Sequence, residues 1–488
     1  MSEEVRKIIC YHTHLELNDY MPGECIRLEH ALSVWDNVYF RYVPIGFVYD
    51  VERRALLLPA GVSATWVESI THRPIEIDYS ADPYAKMHLR INKDPRDVLQ
   101  VDALKFLAGK DEYISYAKYP QLVLNLDTGT GKTFIAMAQI AYKGLKTIII
   151  VHSIYLMNQW VEKFLSDTDI DERKILAIKG SPMCQDIIRR PKKYNQYSIF
   201  MITHDTLHSF GSSYGWNQVG ELFKSLQVGI KIYDEAHKEF SNIIHVDCYT
   251  NTKFTYYLTA TFGRSNGDEM KVYLQCFKSI PKFEQKKRDD YGGKPHISYI
   301  CIFYQTNPTL LQISKMKNNY GFNRNAYATY QLDSDPYFFN ILKDLIYKTS
   351  VEKNYKTLIM MTTIRGIEEL AEFIHREYPQ IDIGIYHSKV KDQEAKNNAK
   401  NKPLIISTQK SLGEGADIEG LKVVINTESF KSIIVTEQIM GRLRELPDGS
   451  GCIYIETVDR AFHTLRNQQK TRERFMRKMV SHIQYVNA

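Results

Sequence analysis

Short runs of consecutive apolar residues alternate with longer amphipathic segments over most of the chain. Strands buried on both faces in a parallel sheet give such runs, and helices that cover the sheet give the amphipathic segments. The pattern predicts two successive βα series. The predicted strands are 122–126, 147–151, 199–203, 230–233 and 256–259 in the first series, and 357–361, 381–386, 404–407, 423–426 and 452–456 in the second.

The two ends of the chain and a central segment show other patterns. Residues 1–88 hold short β-branched and aromatic runs between turn residues, which predicts a small β-rich module. A polar segment lies between Pro281 and Pro295 and favours a linker. Near the end, Phe475, Met479 and Ile483 have helical spacing with basic residues between them, which predicts a docked helix with a solvated basic face. The predicted organisation is 1–88, an accessory domain; 89–280 and 297–466, two α/β domains; 281–296, a linker; and 467–488, a basic helix.

Composition excludes several classes of protein. The 488 residues are 44% hydrophobic and 25% charged, which is typical of globular domains and not of disordered or fibrous chains. No apolar run is long enough to span a bilayer, and the first residues do not resemble a signal peptide, so we expect a cytoplasmic protein. The seven cysteines form no CxxC pair, which argues against a zinc site or disulfide framework. The net charge of +6 permits a nucleic-acid partner without establishing one.

The sharpest local signal is LVLNLDTGTGKT at 122–133, where an apolar strand runs into a Gly-containing loop and then a helix. Backbone N–H groups of such a loop surround a phosphate, Lys132 reaches the outer phosphates, and the hydroxyl of Thr133 binds magnesium. Leu126 stands where the full pattern has glycine, so the prediction depends on the later residues. The predicted nucleotide-binding residues of this loop are Thr128, Gly129, Thr130, Gly131, Lys132 and Thr133.

Two further motifs lie at predicted strand ends downstream. Asp234 and Glu235 open a DEAH tetrapeptide, in which the first acid is expected to hold magnesium and the second to activate water. The sequence YLTAT follows, and its Thr259, Ala260 and Thr261 are predicted to couple the nucleotide site to the next domain. A plain buried strand end would explain these residues about equally well.

The last third of the chain carries the arginines expected to assist phosphoryl transfer. In EQIMGRLRE, Gln438 precedes Arg442 and Arg444, and an arginine near the γ-phosphate stabilises the developing charge. Arg442 is predicted to be the principal arginine finger. Upstream, Gly415 and Asp417 lie in the segment LGEGAD.

Taken in order, these motifs resemble those of the superfamily 2 helicases and translocases over residues 96 to 460. The block from Ser407 to Arg444, with Phe430-Lys431-Ser432 before Gln438, looks most like the phage UvsW-type DNA helicases, relatives of the XPB and RecG group. The resemblance implies two tandem RecA-like P-loop domains with ATP and Mg²⁺ as cofactors, and a host-cell cytoplasmic location if the gene is a phage's. It also assigns Gln100 to adenine, with an exposed helix-start glutamine as the alternative, and it implies that Gly415 and Asp417 take part in nucleotide binding. Glu445 stands where that family commonly has its second arginine, and whether Arg444 replaces it stays open.

The same resemblance implies contacts with nucleic-acid phosphates, although each of these hydroxyls alone could be a helix cap. The residues are Ser153, Thr203, Thr206, Thr362, Thr363 and Thr408. The predicted function is a DNA helicase or translocase that unwinds or branch-migrates forks, junctions or R-loops in replication, recombination or repair, with branched or single-stranded DNA and possible replication or recombination proteins as partners. Two alternatives stay open: an RNA helicase, and an ATPase motor subunit that needs a partner protein.

Overall fold

The computed structural model divides into two compact units, Met1–Arg288 (unit 1) and Asp289–Ala488 (unit 2). The residues that the structure describes are 6–36, 40–78, 80–109, 120–127, 129–260, 267–285, 294–318, 321–387, 389–390, 392–408, 411, 418–428, 430 and 432–488. Within these residues no helix is long and apolar enough to cross a membrane.

Unit 1 begins with a small, mostly antiparallel sheet of order β5-β6-β2-β1-β7, beside a separate hairpin of β3 and β4. This confirms the β-rich N-terminal region. The elements are β1 Ile8–Cys10, β2 His14–Leu17, α1 Ile26–Ala31, β3 Ser33–Asp36, β4 Arg41–Pro44, β5 Val48–Asp50, β6 Ala55–Pro59, α2 Ala64–Thr71 and β7 Ile75–Ile77.

The rest of unit 1 is a seven-stranded parallel sheet of order β10-β11-β9-β12-β13-β8-β14, joined by helices. A 3-10 turn, Glu172–Lys174, precedes β10. The elements are α3 Val98–Ala108, β8 Gln121–Asn125, α4 Lys132–Lys143, β9 Thr147–Val151, α5 Ile154–Asp167, β10 Ile175–Ile178, α6 Gly180–Arg189, α7 Pro191–Tyr194, β11 Ile199–Thr203, α8 His204–Tyr214, α9 Trp216–Leu226, β12 Ile230–Tyr233, α10 Phe240–Tyr249, β13 Phe254–Thr259, α11 Gly267–Cys276 and β14 Lys282–Glu284.

The N-terminal sheet and the parallel sheet share one hydrophobic core. Buried Leu15 and Leu57 of the small sheet belong to the same cluster as Val272 and Cys276 of α11. The contact is close at Gly61, where a Cβ atom would lie 2.1 Å from the carbonyl oxygen of Cys276. A side chain at this position would therefore separate the small sheet from α11.

Unit 2 is a second seven-stranded parallel sheet, of order β19-β20-β18-β21-β22-β15-β23. The two parallel α/β sheets confirm the predicted fold class. The elements are β15 Lys294–Tyr304, α12 Leu310–Lys315, β16 Lys317–Asn318, β17 Gly321–Phe322, α13 Arg324–Asp333, α14 Phe338–Ile346, a π-helical turn Tyr347–Glu352, β18 Thr357–Met361, α15 Ile364–Glu377, β19 Ile383–Tyr386, α16 Gln393–Asn401, β20 Leu404–Thr408, β21 Val423–Asn426, α17 Ile433–Met440, β22 Cys452–Asp459, α18 His463–Met479 and β23 Val480–Asn487.

The structure differs from the sequence prediction at the end of the chain and in the predicted linker. The helix expected over 467–488 stops at Met479, and the remaining residues form strand β23 beside β15. Val480, Ile483, Tyr485 and Val486 favour a strand, and the edge of β15 supplies the backbone partners. Residues 282–284 of the predicted linker form the edge strand β14 of the first sheet. The helical spacing of Ile483 was therefore misleading.

Candidate functional site

The Gly-containing loop joins the end of β8 to the start of α4. Leu126 still belongs to the sheet, because it is fully buried and its N–H donates to the carbonyl oxygen of Thr259 at 2.9 Å. The loop therefore turns after Leu126, which accounts for the missing glycine at this position. Gly129 and Gly131 both have positive φ values, 87° and 90°, which a glycine adopts without strain.

Lys132 opens α4 with its side chain folded back into the loop. Its Nζ donates to the carbonyl oxygens of Leu126 at 2.9 Å and Asp127 at 3.4 Å, and the residue is buried. Gly131 caps the helix without a side-chain hydrogen bond, so no side chain of the cap residue covers the N–H groups of the first turn. Such a helix start is a site that phosphate oxygens fit. Thr133 lies in the same turn and is partly buried.

Gln100 lies in the first turn of α3 and is buried against this loop, so it is a helix-start residue that is not exposed. Its amide nitrogen donates to the carbonyl oxygen of Thr130 at 2.9 Å, and its amide oxygen accepts from the N–H of Arg96 at 2.8 Å. The approach to Gly131 is tight, because a Cβ atom there would lie 2.3 Å from the Gln100 amide nitrogen. Thr128 lies outside the described residues.

The DEAH residues follow β12, two strands away from β8 in the sheet order. Asp234 accepts a hydrogen bond from the indole N–H of Trp160 at 2.9 Å, and its other oxygen accepts from the N–H of Glu235 at 3.0 Å. Glu235 has φ of 54°, a left-handed conformation that costs a non-glycine residue roughly 1–2 kcal/mol. Strained backbone of this kind concentrates at active sites.

The two carboxyl groups have opposite pKa shifts. Burial and the neighbouring charge of Glu235 raise the pKa of Asp234 to about 6. For Glu235, burial acts to raise the pKa, but the charges of Lys132, His237 and Lys238 outweigh it and lower the pKa to about 2. The Lys132 ammonium also acts on Asp234, so the loop lysine and both acids belong to one electrostatic cluster.

The YLTAT motif contacts the DEAH motif directly. The ring of His237 lies 3.0 Å from the hydroxyl of Thr259 and 3.3 Å from a carboxylate oxygen of Glu235. Ala260 is buried beside it, and Thr261 lies outside the described residues. Since β13 lies between β12 and β8, the three motifs follow neighbouring strands and come together at the carboxyl ends of these strands. His237 thus joins Thr259 to Glu235.

The predicted nucleic-acid hydroxyls occupy helix starts in both units. Ser153, Thr203 and Thr363 are the N-caps of α5, α8 and α15, where each accepts a hydrogen bond from the N–H three residues on. Thr206 bonds to Thr203, with 2.9 Å between the hydroxyl oxygens, and Thr408 caps the turn at Ser411. Thr362 directly precedes the α15 cap. Four of the six hydroxyls therefore serve a capping role, as the simpler alternative anticipated.

The arginine motif follows α17 in unit 2. Gln438 lies on this helix and is partly buried, as is Arg442 just after it, whereas Arg444 is exposed. Gly415 and Asp417 lie outside the described residues. Arg442 lies in the turn that follows α17. The Arg444 carbonyl oxygen accepts from the Cys452 thiol at 3.2 Å.

Three residues near the loop and acids were not anticipated from the sequence. Trp160 bonds Asp234, Lys238 lies 3.0 Å from the His152 ring, and the side chain of Gln285 accepts from the N–H of Asp127 at 3.0 Å. None of them belongs to a motif with fixed spacing. A buried tryptophan on an otherwise amphipathic helix was the one available signal, and it did not indicate a partner.

Two family models match the chain and together cover more than half of it. Residues 95–264 match the model described as "Type III restriction enzyme, res subunit", and residues 338–444 match "Helicase conserved C-terminal domain". The first match contains the loop, the DEAH residues and Thr259. The second contains Gln438 and Arg442.

Curated relatives carry helicase names of two kinds. A protein of Acanthamoeba polyphaga mimivirus named as an ATP-dependent RNA helicase is 25% identical over 385 residues, 74% of this chain and 64% of that protein. DNA 3'-5' helicase XPB of Mycobacterium tuberculosis is 30% identical over 151 residues, 31% of this chain and 25% of XPB. The chain thus spans less than two thirds of the length of these relatives.

The chain shares its fold with a solved structure at low sequence identity. Mss116p, bound to ssRNA and AMP-PNP, aligns with 80% of this chain and 74% of its own at a TM-score of 0.52 and 14% identity. T4 UvsW aligns over 99% of both chains at 17% identity and a TM-score of 0.37.

Proposed function

Because the chain belongs to the superfamily 2 helicases, we propose that it is an ATP-dependent DNA helicase or translocase of the UvsW type, acting on forks, junctions or R-loops in replication, recombination or repair. The observation that carries the proposal is the single cluster of Lys132, Asp234, Glu235 and Thr259 on adjacent strands of unit 1. Lys132, Asp234 and Glu235 each have a defined task in phosphoryl transfer, and Thr259 is the proposed coupling residue beside them.

The residues of the cluster fit ATP with magnesium. Asp234 is a buried carboxyl with a raised pKa, so a nearby cation would offset the cost of its charge. Magnesium is usually held by one or two protein oxygens together with substrate phosphates, which suits Asp234 with Thr133. Among the described residues no group of three potential ligands forms a metal cage. When bound, the ion would neutralise charge on the phosphates.

Each side chain then has a role in hydrolysis. Lys132 exchanges the loop carbonyl oxygens for phosphate oxygens, and Gln100 contacts adenine from its place against the loop. Glu235, ionised at neutral pH because its pKa is about 2, orients the attacking water and accepts its proton. Arg442, with Gln438, stabilises charge on the γ-phosphoryl group, and Arg444 serves as a second arginine. His237 and Thr259 transmit the state of Glu235 to the end of β13.

DNA is the proposed substrate because the XPB relative is named as a DNA helicase. Helix starts present N–H groups to an anion, so the hydroxyls there are proposed to contact backbone phosphates. They are the capping hydroxyls of Ser153, Thr203, Thr363 and Thr408, together with those of Thr206 and Thr362. Contacts of this kind position a strand without reading its sequence. Replication or recombination proteins are the proposed partners.

An RNA helicase is the second candidate, carried by the mimivirus relative, which matches 74% of this chain. A third, an ATPase motor subunit, remains open because the first family model is named for a subunit of a complex. The three differ in what stimulates ATP hydrolysis.

The test measures ATP hydrolysis by the full chain alone and with single-stranded DNA, forked DNA, a four-way junction or RNA of the same sequence. Glu235→Gln keeps the size of the side chain and removes its charge, and we expect at least about a hundredfold loss of kcat. Glu221→Gln, on the exposed surface of α9, is the matched control. Stimulation chiefly by branched DNA supports the proposal. Stimulation by RNA alone favours the second candidate, and no stimulation favours the motor subunit.

A further inference from the structure

Helix α18 lies beyond the second matched family segment, and one of its arginines is buried. Leu465, Gln469, Arg472 and Met476 are its buried residues, spaced so that they form one face of the helix. Arg474, Arg477 and Lys478 are exposed. Arg472 therefore does not belong to the solvated basic face that the sequence predicted.

The guanidinium of Arg472 connects α18 to the segment in front of α17. Its Nε donates to the carboxylate of Glu456 on β22 at 2.8 Å, and one Nη donates to the main-chain carbonyl oxygen of Phe430. Its central carbon lies 5.2 Å from the centre of the Phe430 ring. The hydroxyl of Tyr299 donates to the other oxygen of Glu456, so the acid is fixed from both sides.

Phe430 is fixed from a second direction. The guanidinium carbon of Arg324 lies 5.9 Å from the same ring, and an Nη of Arg324 donates to Glu428 at 2.6 Å. Two residues after Phe430, Ser432 caps α17 by accepting from the N–H of Val435 at 3.3 Å. Phe430 thus lies two residues before the cap of α17, and Arg442 lies two residues after the last residue of that helix.

We propose that Arg472 is a positioning residue for phosphoryl transfer: through the carbonyl and ring of Phe430 it holds α17 so that Arg442 meets the transferring phosphoryl group. The inference rests on the proposed function, because it requires Arg442 to act on ATP. Arg472 itself touches neither nucleotide nor nucleic acid in this account. Its loss is expected to slow hydrolysis without weakening ATP binding, which is the task of Lys132 and the loop in unit 1.

The test measures kcat and KM for ATP with the full chain and forked DNA. Arg472→Lys keeps a charge beside Glu456 but cannot form the fork that also reaches Phe430. A displacement of about 1 Å at a catalytic group costs about a hundredfold, so we expect a kcat lower by about that factor and KM changed less than about twofold. Arg474→Lys, on the exposed face of the same helix, should leave both constants unchanged.

A double-mutant comparison separates positioning from general damage. In the Arg442→Ala background, Arg472→Lys should lower kcat by less than about a further twofold, because the group it positions is already gone. If the two losses multiply, or if KM rises while kcat stays unchanged, the inference is wrong. If Arg442→Ala alone leaves kcat unchanged, the proposed role of Arg442 fails and the inference fails with it.

Removing the charge entirely could unfold unit 2, because Glu456 would be left buried and unpaired. The double substitution Arg472→Met with Glu456→Gln removes the ion pair without leaving a buried, unpaired carboxylate. It should show the same loss of kcat as Arg472→Lys, with the thermal unfolding temperature recorded as a check. Normal kcat in this folded variant would overturn the proposal.

Discussion

A buried ion pair joins Lys231, on the strand that leads to Asp234, to Asp247 on the following helix. Lys231 on β12 is fully buried, and its Nζ lies 2.6 Å from the carboxylate of Asp247 on α10. The hydroxyls of Tyr233 and Tyr257 donate to the two oxygens of Asp247 at 2.8 and 2.6 Å. Replacing Lys231 by methionine fills the space but leaves the acid without its cation.

The expected loss follows from this burial. Breaking a buried pair by removing one partner costs about 3–5 kcal/mol, because the remaining charge is uncompensated. The two tyrosine hydroxyls still bond Asp247, so we expect the lower end of this range for Lys231→Met. Adding Asp247→Asn should recover at least ~1 kcal/mol, because a neutral amide needs no counter-charge and its oxygen still accepts from a tyrosine.

Denaturant unfolding followed by tryptophan fluorescence is the appropriate assay. The four tryptophans, at positions 35, 66, 160 and 216, all belong to unit 1, so the signal reports the unit that contains the pair. Lys224→Met, which removes a surface pair with Glu221, is the control and should cost less than about 1 kcal/mol. A loss below about 1 kcal/mol for Lys231→Met, or a double variant no more stable than the single one, would refute the reasoning.

Two other predictions concern buried side chains of unit 1. Burial lowers the pKa of His204 from 6.5 to about 3, so the unfolded chain binds a proton that the native state does not, and stability falls as pH drops below about 6.5. His204→Gln should reduce this dependence of stability on pH by about 1.4 kcal/mol per pH unit between about pH 6 and pH 4, as measured by urea unfolding. The exposed His88→Gln is the control and should leave the dependence unchanged. An unchanged dependence in His204→Gln would contradict the prediction. Trp160→Phe removes the hydrogen-bond donor to Asp234, so the magnesium concentration for half-maximal ATP hydrolysis should rise about tenfold. Trp66→Phe is the control. An unchanged magnesium concentration in Trp160→Phe would exclude a role for the indole.

The inner strands were the most predictable part of the fold. Strands 147–151, 199–203, 230–233, 357–361 and 423–426 have the bounds that their apolar runs predicted. These segments are buried on both faces, so the sequence pattern and the structure report the same property. Edge strands such as β14 and β23 are covered on fewer sides, and their sequences lack that signal.

The candidate site was predictable where the motifs have fixed spacing and not where contacts come from distant segments. Lys132, Asp234 and Glu235 lie together as their motifs implied. Trp160 and Gln285 reach the site from a helix and from a segment predicted as a linker, through contacts that no local pattern encodes. Arg472 was misjudged for a related reason, since helical spacing alone does not reveal which basic residue faces a buried acid.

The place of β15 in its sheet has a consequence for synthesis on the ribosome. This first strand of unit 2 pairs with β22 on one side and β23 on the other, and Ser298 lies opposite His482, 184 positions later. At about 5–20 residues per second, translation leaves the edge of β15 that pairs with β23 without its partner for roughly 10 to 40 seconds, and the edge that pairs with β22 for a slightly shorter time. The strand reads HISYICIFY from His296, an apolar, β-prone segment of the kind that aggregates. A nascent chain of this protein therefore presents a binding site for chaperones until β22 and β23 emerge.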